Sequence, residues 1–263
     1  MPRMHIEVTG SGAPLVLIHG WALHGGVFEP LVRRLADRYQ LHLVDLPGHG
    51  HSRDSAVPLQ LRAVADDLIA RTPPAVWVAW SLGGLFALEA AAQSDRVRGL
   101  AMIAATPRFV RSGDWPHAVE PAVFDQFGQD LRQDYAGTLD RFLALDTIGS
   151  QHAMAELRTL KDTLYARGEP APQALQDGLS LLENTDLRAA LPDLAMPSLW
   201  LSGRRDRLVP AAGMRQAAAL APHGRHHDIA GGGHAPFLGH ADQVAAEIAG
   251  FVESPRIPSM GAT

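Results

Sequence analysis

The sequence predicts an α/β fold: a mostly parallel central sheet flanked by helices, with an all-helical segment inserted late in the chain. Two observations carry this. Short continuous apolar runs, Leu15-Val16-Leu17-Ile18, Leu41-His42-Leu43-Val44 and Val76-Trp77-Val78-Ala79-Trp80, alternate with stretches of helical period, the signature of strands buried on both faces and joined by crossover helices. From about residue 106 to 186 that rhythm breaks, and only amphipathic helical patterns follow.

Taken in order, residues 4–8 alternate apolar and polar as an edge strand does, and Thr9-Gly10-Ser11-Gly12 closes it. The buried strand at Leu15 opens into the glycine-rich loop His19-Gly20-Trp21-Ala22-Leu23-His24-Gly25-Gly26, with a helix expected over 28–37. The strand at Leu41 runs into Asp45-Leu46-Pro47-Gly48-His49-Gly50-His51-Ser52, a run of turn formers read as a structural loop. A helix over 61–70 stops at Pro73-Pro74, and the strand at Val76 passes directly into an Ala/Leu-rich helix, with Ser81 at the join. Residues 97–103 supply the next strand. The inserted segment carries helical patterns near 122–131, 138–145, 153–165 and 173–182 and reads as a lid. The core resumes with a strand at 198–201, a helix over 212–220, a short strand near 226–229 and a last helix over 241–252. Residues 1–105 and 187–252 are thus expected to form the core, 106–186 the lid, and 253–263 a disordered tail.

The chain is 46% hydrophobic and 19% charged, ample for a sizeable core. Its net charge of −5 gives no field that would favour nucleic acid. With no cysteine, disulfides, thiolate zinc sites and a cysteine nucleophile are excluded. No apolar run reaches membrane-spanning length and no signal peptide is visible, so the expectation is a cytoplasmic, monomeric protein.

The chemistry centres on Ser81. A serine on a sharp strand-to-helix turn is held with its hydroxyl above the sheet, and the following helix points amide dipoles at it. Such a turn demands small residues two before and two after the serine, and Ala79 and Gly83 qualify. A serine there could also be an ordinary helix cap. The hydroxyl needs a base, and the base an orienting acid. Asp206, in Ser202-Gly203-Arg204-Arg205-Asp206-Arg207, follows one late strand; His234, after Gly231-Gly232-Gly233, follows the next. Asp206 alone could be a cap or a surface ion pair, and His234 is one of 13 histidines. The order serine, acid, histidine on three loops at one sheet edge favours a triad. The amides of Leu82 and Trp21 are the expected oxyanion donors. The histidine groups at 226, 227 and 234 or at 49 and 51 lack a metal-binding helix motif or carboxylate cluster, so neither metal nor cofactor is expected.

These loops, with the elbow at Trp80-Ser81-Leu82-Gly83-Gly84, resemble the α/β-hydrolase superfamily. Leu41 to Gly48, Asp114-Trp115-Pro116, Arg141-Phe142-Leu143-Ala144-Leu145 and His234-Ala235-Pro236-Phe237 further resemble the family of pimeloyl-acyl-carrier-protein methyl ester esterases of biotin synthesis, over residues 4–252. That resemblance implies a carboxylesterase whose substrate is carried by acyl-carrier protein. It puts Trp21, Ser81, Leu82, Phe142, Leu143, Ala144, Leu145, Asp146 and His234 around the acyl chain. Two positions depart from the pattern: Ala79 for the first elbow glycine, and Asp146 where relatives have a neutral amide. Because the carrier is acidic, Arg141, Arg158 and Lys161 on the lid are the expected docking cations, although Asp140, Asp146, Glu156 and Asp162 lie among them. The alternatives left open are a general short-chain esterase or thioesterase and a non-catalytic ligand receptor.

Overall fold

Residues 2–257 are described by the computed structural model. The elements in chain order are β1 (Ile6–Thr9), β2 (Ala13–Ile18), α1 (Glu29–Leu35), β3 (Tyr39–Val44), α2 (Leu61–Arg71), β4 (Ala75–Trp80), α3 (Gly83–Gln93) and β5 (Val97–Ile103). Then come α4 (Pro121–Gln133), α5 (Tyr135–Thr147), α6 (Ala153–Ala166), α7 (Pro172–Asn184), β6 (Ser198–Gly203), α8 (Ala211–Leu220), β7 (Gly224–Ile229), α9 (Pro236–Gly239) and α10 (Ala241–Val252).

The strands form one sheet in the order β1-β3-β2-β4-β5-β6-β7. Only β1 runs antiparallel, against β3; the other pairings are parallel. The register aligns Leu17, Val78, Ala101, Leu199 and Arg225 in a row across β2-β4-β5-β6-β7. The carboxyl ends of β2, β4, β6 and β7 therefore finish along one edge, where loops of a doubly wound sheet gather. The central strand β4 is buried at every residue, which explains why it reads as a continuous apolar run and not as an alternation.

Between β5 and β6 the helices α4, α5, α6 and α7 follow one another, with proline at the first turn of α4 and α7, where its missing amide hydrogen costs nothing. The Asp134 side chain caps α5 by accepting from the Gly137 amide at 2.9 Å. Isolated bridges join Val110 to Val119 and Ser112 to Trp115, so residues 110–119 fold as a small knot ahead of α4.

The tail expected to begin at Glu253 differs from a disordered segment over its first five residues. Ile257 is buried beside Phe251, its amide donating to the Ser254 carbonyl at 2.9 Å. The apolar side chain at Ile257 reaches the space that Gly99 leaves on β5. Residues 258–263 of that expected tail lie outside the described residues. Among the described residues, no helix is long and apolar enough to cross a membrane.

Candidate active site

Ser81 ends β4 with φ of 52°, a left-handed conformation that a serine adopts only at a cost of order 1–3 kcal/mol. Its amide donates to the Ile103 carbonyl on β5 at 3.0 Å, so the sheet itself holds the strained residue. The small residue demanded at Gly83 has a cause other than contact with Ala79. A Cβ at Gly83 would sit 2.7 Å from the His19 carbonyl oxygen and against Ile18 at the end of β2. Residue 79 lies inside the strand, where alanine is simply buried, and so the departure from glycine there is tolerated.

The three residues separated along the chain meet. Ser81 Oγ–H donates to His234 Nε2 at 2.8 Å, and His234 Nδ1–H donates to Asp206 Oδ2 at 2.8 Å. The second Asp206 oxygen accepts from the Leu208 and Val209 amides at 2.8 and 2.9 Å, so the carboxylate is fixed at both ends. His234 is held in turn: its amide donates to the Asp146 carbonyl at 3.0 Å, and its own carbonyl accepts from Trp80 Nε1 at 2.8 Å. In the run Gly231 to Gly233, Gly231 has φ of 81°, and a Cβ on Gly233 would lie 3.2 Å from the Ser150 Cβ and 3.3 Å from the Asp146 carbonyl oxygen, so these glycines serve backbone conformation and close approach. Burial works to lower the His234 pKa, yet the charge and hydrogen bond of Asp206, with Asp146 adding to them, leave it raised.

Among the described residues, the amides of Leu82 and Trp21 have no protein acceptor. Leu82 precedes α3 as its cap, with the helix dipole behind it. Gly20 lets the β2 loop close on the elbow: a Cβ there would lie 3.1 Å from the Ser81 Cβ. His19 stabilises that loop from inside. Its Nε2 accepts from the Leu46 amide at 2.9 Å and its Nδ1–H donates to the Gly20 carbonyl at 2.7 Å, while burial pushes its pKa down to about 3. Asp45 is structural, as expected of its loop, accepting from the Gly25 and His51 amides and from Arg167.

Helices α5 and α7 pack against the neighbours of the serine, Trp21, Leu82 and His234. Trp21 packs against Phe142 with ring centroids 4.4 Å apart and the planes tilted by 54°, and its Nε1 donates to the Leu175 carbonyl of α7 at 2.8 Å. Phe142, Leu143 and Asp146 are buried, and Ala144 and Leu145 half-buried. Ser81 and His234 are left only 3% and 1% exposed. Sequence reasoning missed Gly178 of α7, whose would-be Cβ lies 2.7 Å from the Trp21 ring and 3.3 Å from Leu82. An isolated glycine inside a helical pattern was the available signal of such a close approach. Both carboxyl oxygens of Asp146 are buried with no hydrogen-bond partner among the described residues. Burial first, and Asp206 with it, raise the Asp146 pKa to about 7, against a lowering effect of His234.

The cations of α5 and α6 that the sequence nominated for docking have acidic neighbours. Arg141 faces Asp130 and Asp134 at 3.3 and 3.4 Å, Lys161 faces Asp140 at 2.9 Å, and Arg158 lies 4.0 Å from Asp162.

Comparison with known proteins agrees with this architecture. The family model described as alpha/beta hydrolase fold matches residues 13–241. A protein of Xanthomonas oryzae pv. oryzae named pimeloyl-[acyl-carrier protein] methyl ester esterase is 70% identical over 251 residues, covering 95% of this chain and 99% of that protein. One of Stenotrophomonas maltophilia with the same name is 68% identical, covering 95% and 96%. Among solved structures, a bromoperoxidase from Bacillus anthracis superposes with a TM-score of 0.85 at 23% identity, over 95% of both chains. A hydrolase from Oleispira antarctica gives 0.86 at 19%, over 96% and 95%; at these identities the likeness concerns the fold. With the serine elbow, the sheet order and these matches together, the chain belongs to the α/β-hydrolase fold family.

Proposed function

We propose that the protein is a serine carboxylesterase that hydrolyses the methyl ester of pimeloyl-acyl-carrier protein, giving pimeloyl-acyl-carrier protein and methanol in biotin biosynthesis. The observation that carries the reading is the unbroken row Ser81–His234–Asp206, with both links at 2.8 Å, in a chain 70% identical to proteins bearing that name.

Ser81 Oγ attacks the ester carbonyl as His234 Nε2 takes its proton. Asp206 keeps the proton on Nδ1 and stabilises the imidazolium that forms. The developing oxyanion is received by the Leu82 and Trp21 amides; each such donor is worth about a hundred- to a thousandfold in rate. Collapse expels the methoxy group, which collects the proton from His234 and leaves as methanol. A water deprotonated by His234 then attacks the acyl-enzyme, and the Ser81–acyl bond breaks as His234 returns the proton to Ser81 Oγ, releasing the acid. Since Ser81 is almost wholly covered, the ester gains access by displacement of α5 or α7. The acyl chain then lies along Trp21, Phe142, Leu143, Ala144, Leu145 and Asp146. Acyl-carrier protein is the partner in this reading, and the setting is a cytoplasmic monomer with no cofactor.

The test is conversion of methyl pimeloyl-carrier protein by the purified protein, followed by mass spectrometry. It is paired with growth of a biotin-requiring, esterase-deficient strain carrying the intact protein or Ser81→Ala. Demethylation and growth with the intact protein, both lost in the variant, are expected. A folded protein that cleaves simple esters but neither converts the conjugate nor restores growth would leave only a general esterase.

A further inference from the structure

We propose that Asp146, in the last turn of α5, holds the water that hydrolyses the acyl-enzyme, an inference that rests on the proposed ester chemistry but not on the identity of the acyl chain. Phe142 and Asp146 stand four residues apart and so share one face of α5. Phe142 packs on Trp21 with ring centroids 4.4 Å apart, and the Asp146 carbonyl accepts from the His234 amide at 3.0 Å. That face therefore runs from a proposed oxyanion donor to the general base. The Asp146 carboxyl is fully buried, and neither of its oxygens has a hydrogen-bond partner among the described residues. The charges it feels are those of His234 and Asp206. A buried polar group without a partner is costly to fold around. Beside a general base, it points to a polar ligand that arrives with the reaction.

The two halves of the reaction differ in what stands at that place. In acylation His234 Nε2–H faces the methoxy oxygen, whose other substituent is a methyl group with no hydrogen to donate. In deacylation a water takes the position that methanol left. Ser81 Oγ, now acylated, no longer donates to His234 Nε2 as it does at 2.8 Å in the free protein, and Nε2 accepts one O–H of the water instead. The second O–H donates to an Asp146 carboxyl oxygen, which aims the water's lone pair at the acyl carbon. As the new C–O bond forms, the first proton passes to Nε2; as the Ser81–acyl bond breaks, Nε2 returns that proton to Oγ. The second hydrogen stays with the acid product, so atoms and charge balance. Only an acceptor oxygen is required, and a carboxyl offers one whether ionised or protonated. Asparagine offers one too; leucine, of similar shape, does not.

The experiment compares the intact protein with Asp146→Leu and Asp146→Asn on 4-nitrophenyl butyrate, with methanol added as a second acceptor of the acyl group. Methanol has a single O–H, which His234 takes, and gains nothing from Asp146. The initial ratio of methyl butyrate to butyrate is therefore expected to rise about tenfold or more in Asp146→Leu and to stay within about threefold of the parent's in Asp146→Asn. Where deacylation limits turnover, kcat and KM fall together in Asp146→Leu while kcat/KM, which reports acylation, is unchanged, and the nitrophenol burst grows. A merely structural role moves none of these. Asp146→Leu removes a buried carboxyl and is expected to melt no lower than the parent at pH 7; if it does not fold, Asp146→Val, also without an acceptor, is judged by the same product ratio. An unchanged ratio in the variant without an acceptor overturns the role of Asp146 and leaves the esterase standing, as does an equal rise in Asp146→Asn. An intact protein that forms no acyl-enzyme and hydrolyses neither this ester nor methyl pimeloyl-carrier protein overturns the ester chemistry, and the water site with it.

Discussion

Asp146→Asn is expected to make the protein more stable as pH rises, and the size of the gain can be worked out from the burial of the carboxyl. Its pKa is raised from 3.8 to about 7, first by burial and then by Asp206. Below about pH 4 the group is protonated in both folded and unfolded chains and contributes no pH dependence. Between about 4 and 7 the unfolded chain releases the proton while the folded chain retains it, so stability falls as pH rises. At roughly 1.4 kcal/mol for each pH unit, that interval is worth about 4 kcal/mol, complete once pH passes the folded pKa. Asparagine does not titrate and leaves the volume almost unchanged. The difference in unfolding free energy between variant and parent should therefore climb across about pH 4 to 7 and level off above. Urea denaturation at a series of pH values measures it. Any constant cost of burying the unpartnered amide shifts the curve without changing its slope. A difference that stays flat across that range would refute the assignment of a protonated, partnerless carboxyl at this position.

Three further outcomes follow from the same structure. Ser81→Ala should lower kcat by a factor of at least about 10⁴, and Asp206→Asn by about 10⁴ through loss of the correct His234 tautomer; both should retain the parent's circular dichroism. His19 and His49 are buried with pKa values pushed down to about 3 and about 4, in each case chiefly by burial. Their unfolded forms take up protons below about pH 6.5 while the folded forms do not, so acid melts should show stability falling from about pH 6.5 toward 4, and His19→Gln should flatten part of that fall. Gly83→Ala should cost about 1–3 kcal/mol or more through overpacking, because its Cβ would meet the Ile18 and His19 backbone; a melting temperature equal to the parent's would count against that contact.

Much was legible from the chain because it depended on local pattern. Runs such as Val76 to Trp80 announce strands buried on both faces, and the break in rhythm near residue 106 announces the helices between β5 and β6. The order of Ser81, Asp206 and His234 on loops after strands was enough to nominate them, since a parallel sheet brings such loops to one edge whatever their separation along the chain. Gly178 and the turn ending at Ile257 escaped notice because their meaning lies in what faces them, Trp21 in one case and the gap at Gly99 in the other.

Composition, periodicity and motif order by themselves determined the sheet, the inserted helices and three candidate residues, because those properties are written in neighbouring side chains. Tertiary structure alone decided the rest: that Gly83 answers to β2 and that, among the described residues, Asp146 is buried without a hydrogen-bond partner beside His234, and the arginines around Asp206 form no ion pair while Arg141 and Lys161 of α5 and α6 face acids. Charge pairing and desolvation depend on distances between residues remote in the chain, and no pattern of neighbours encodes those distances.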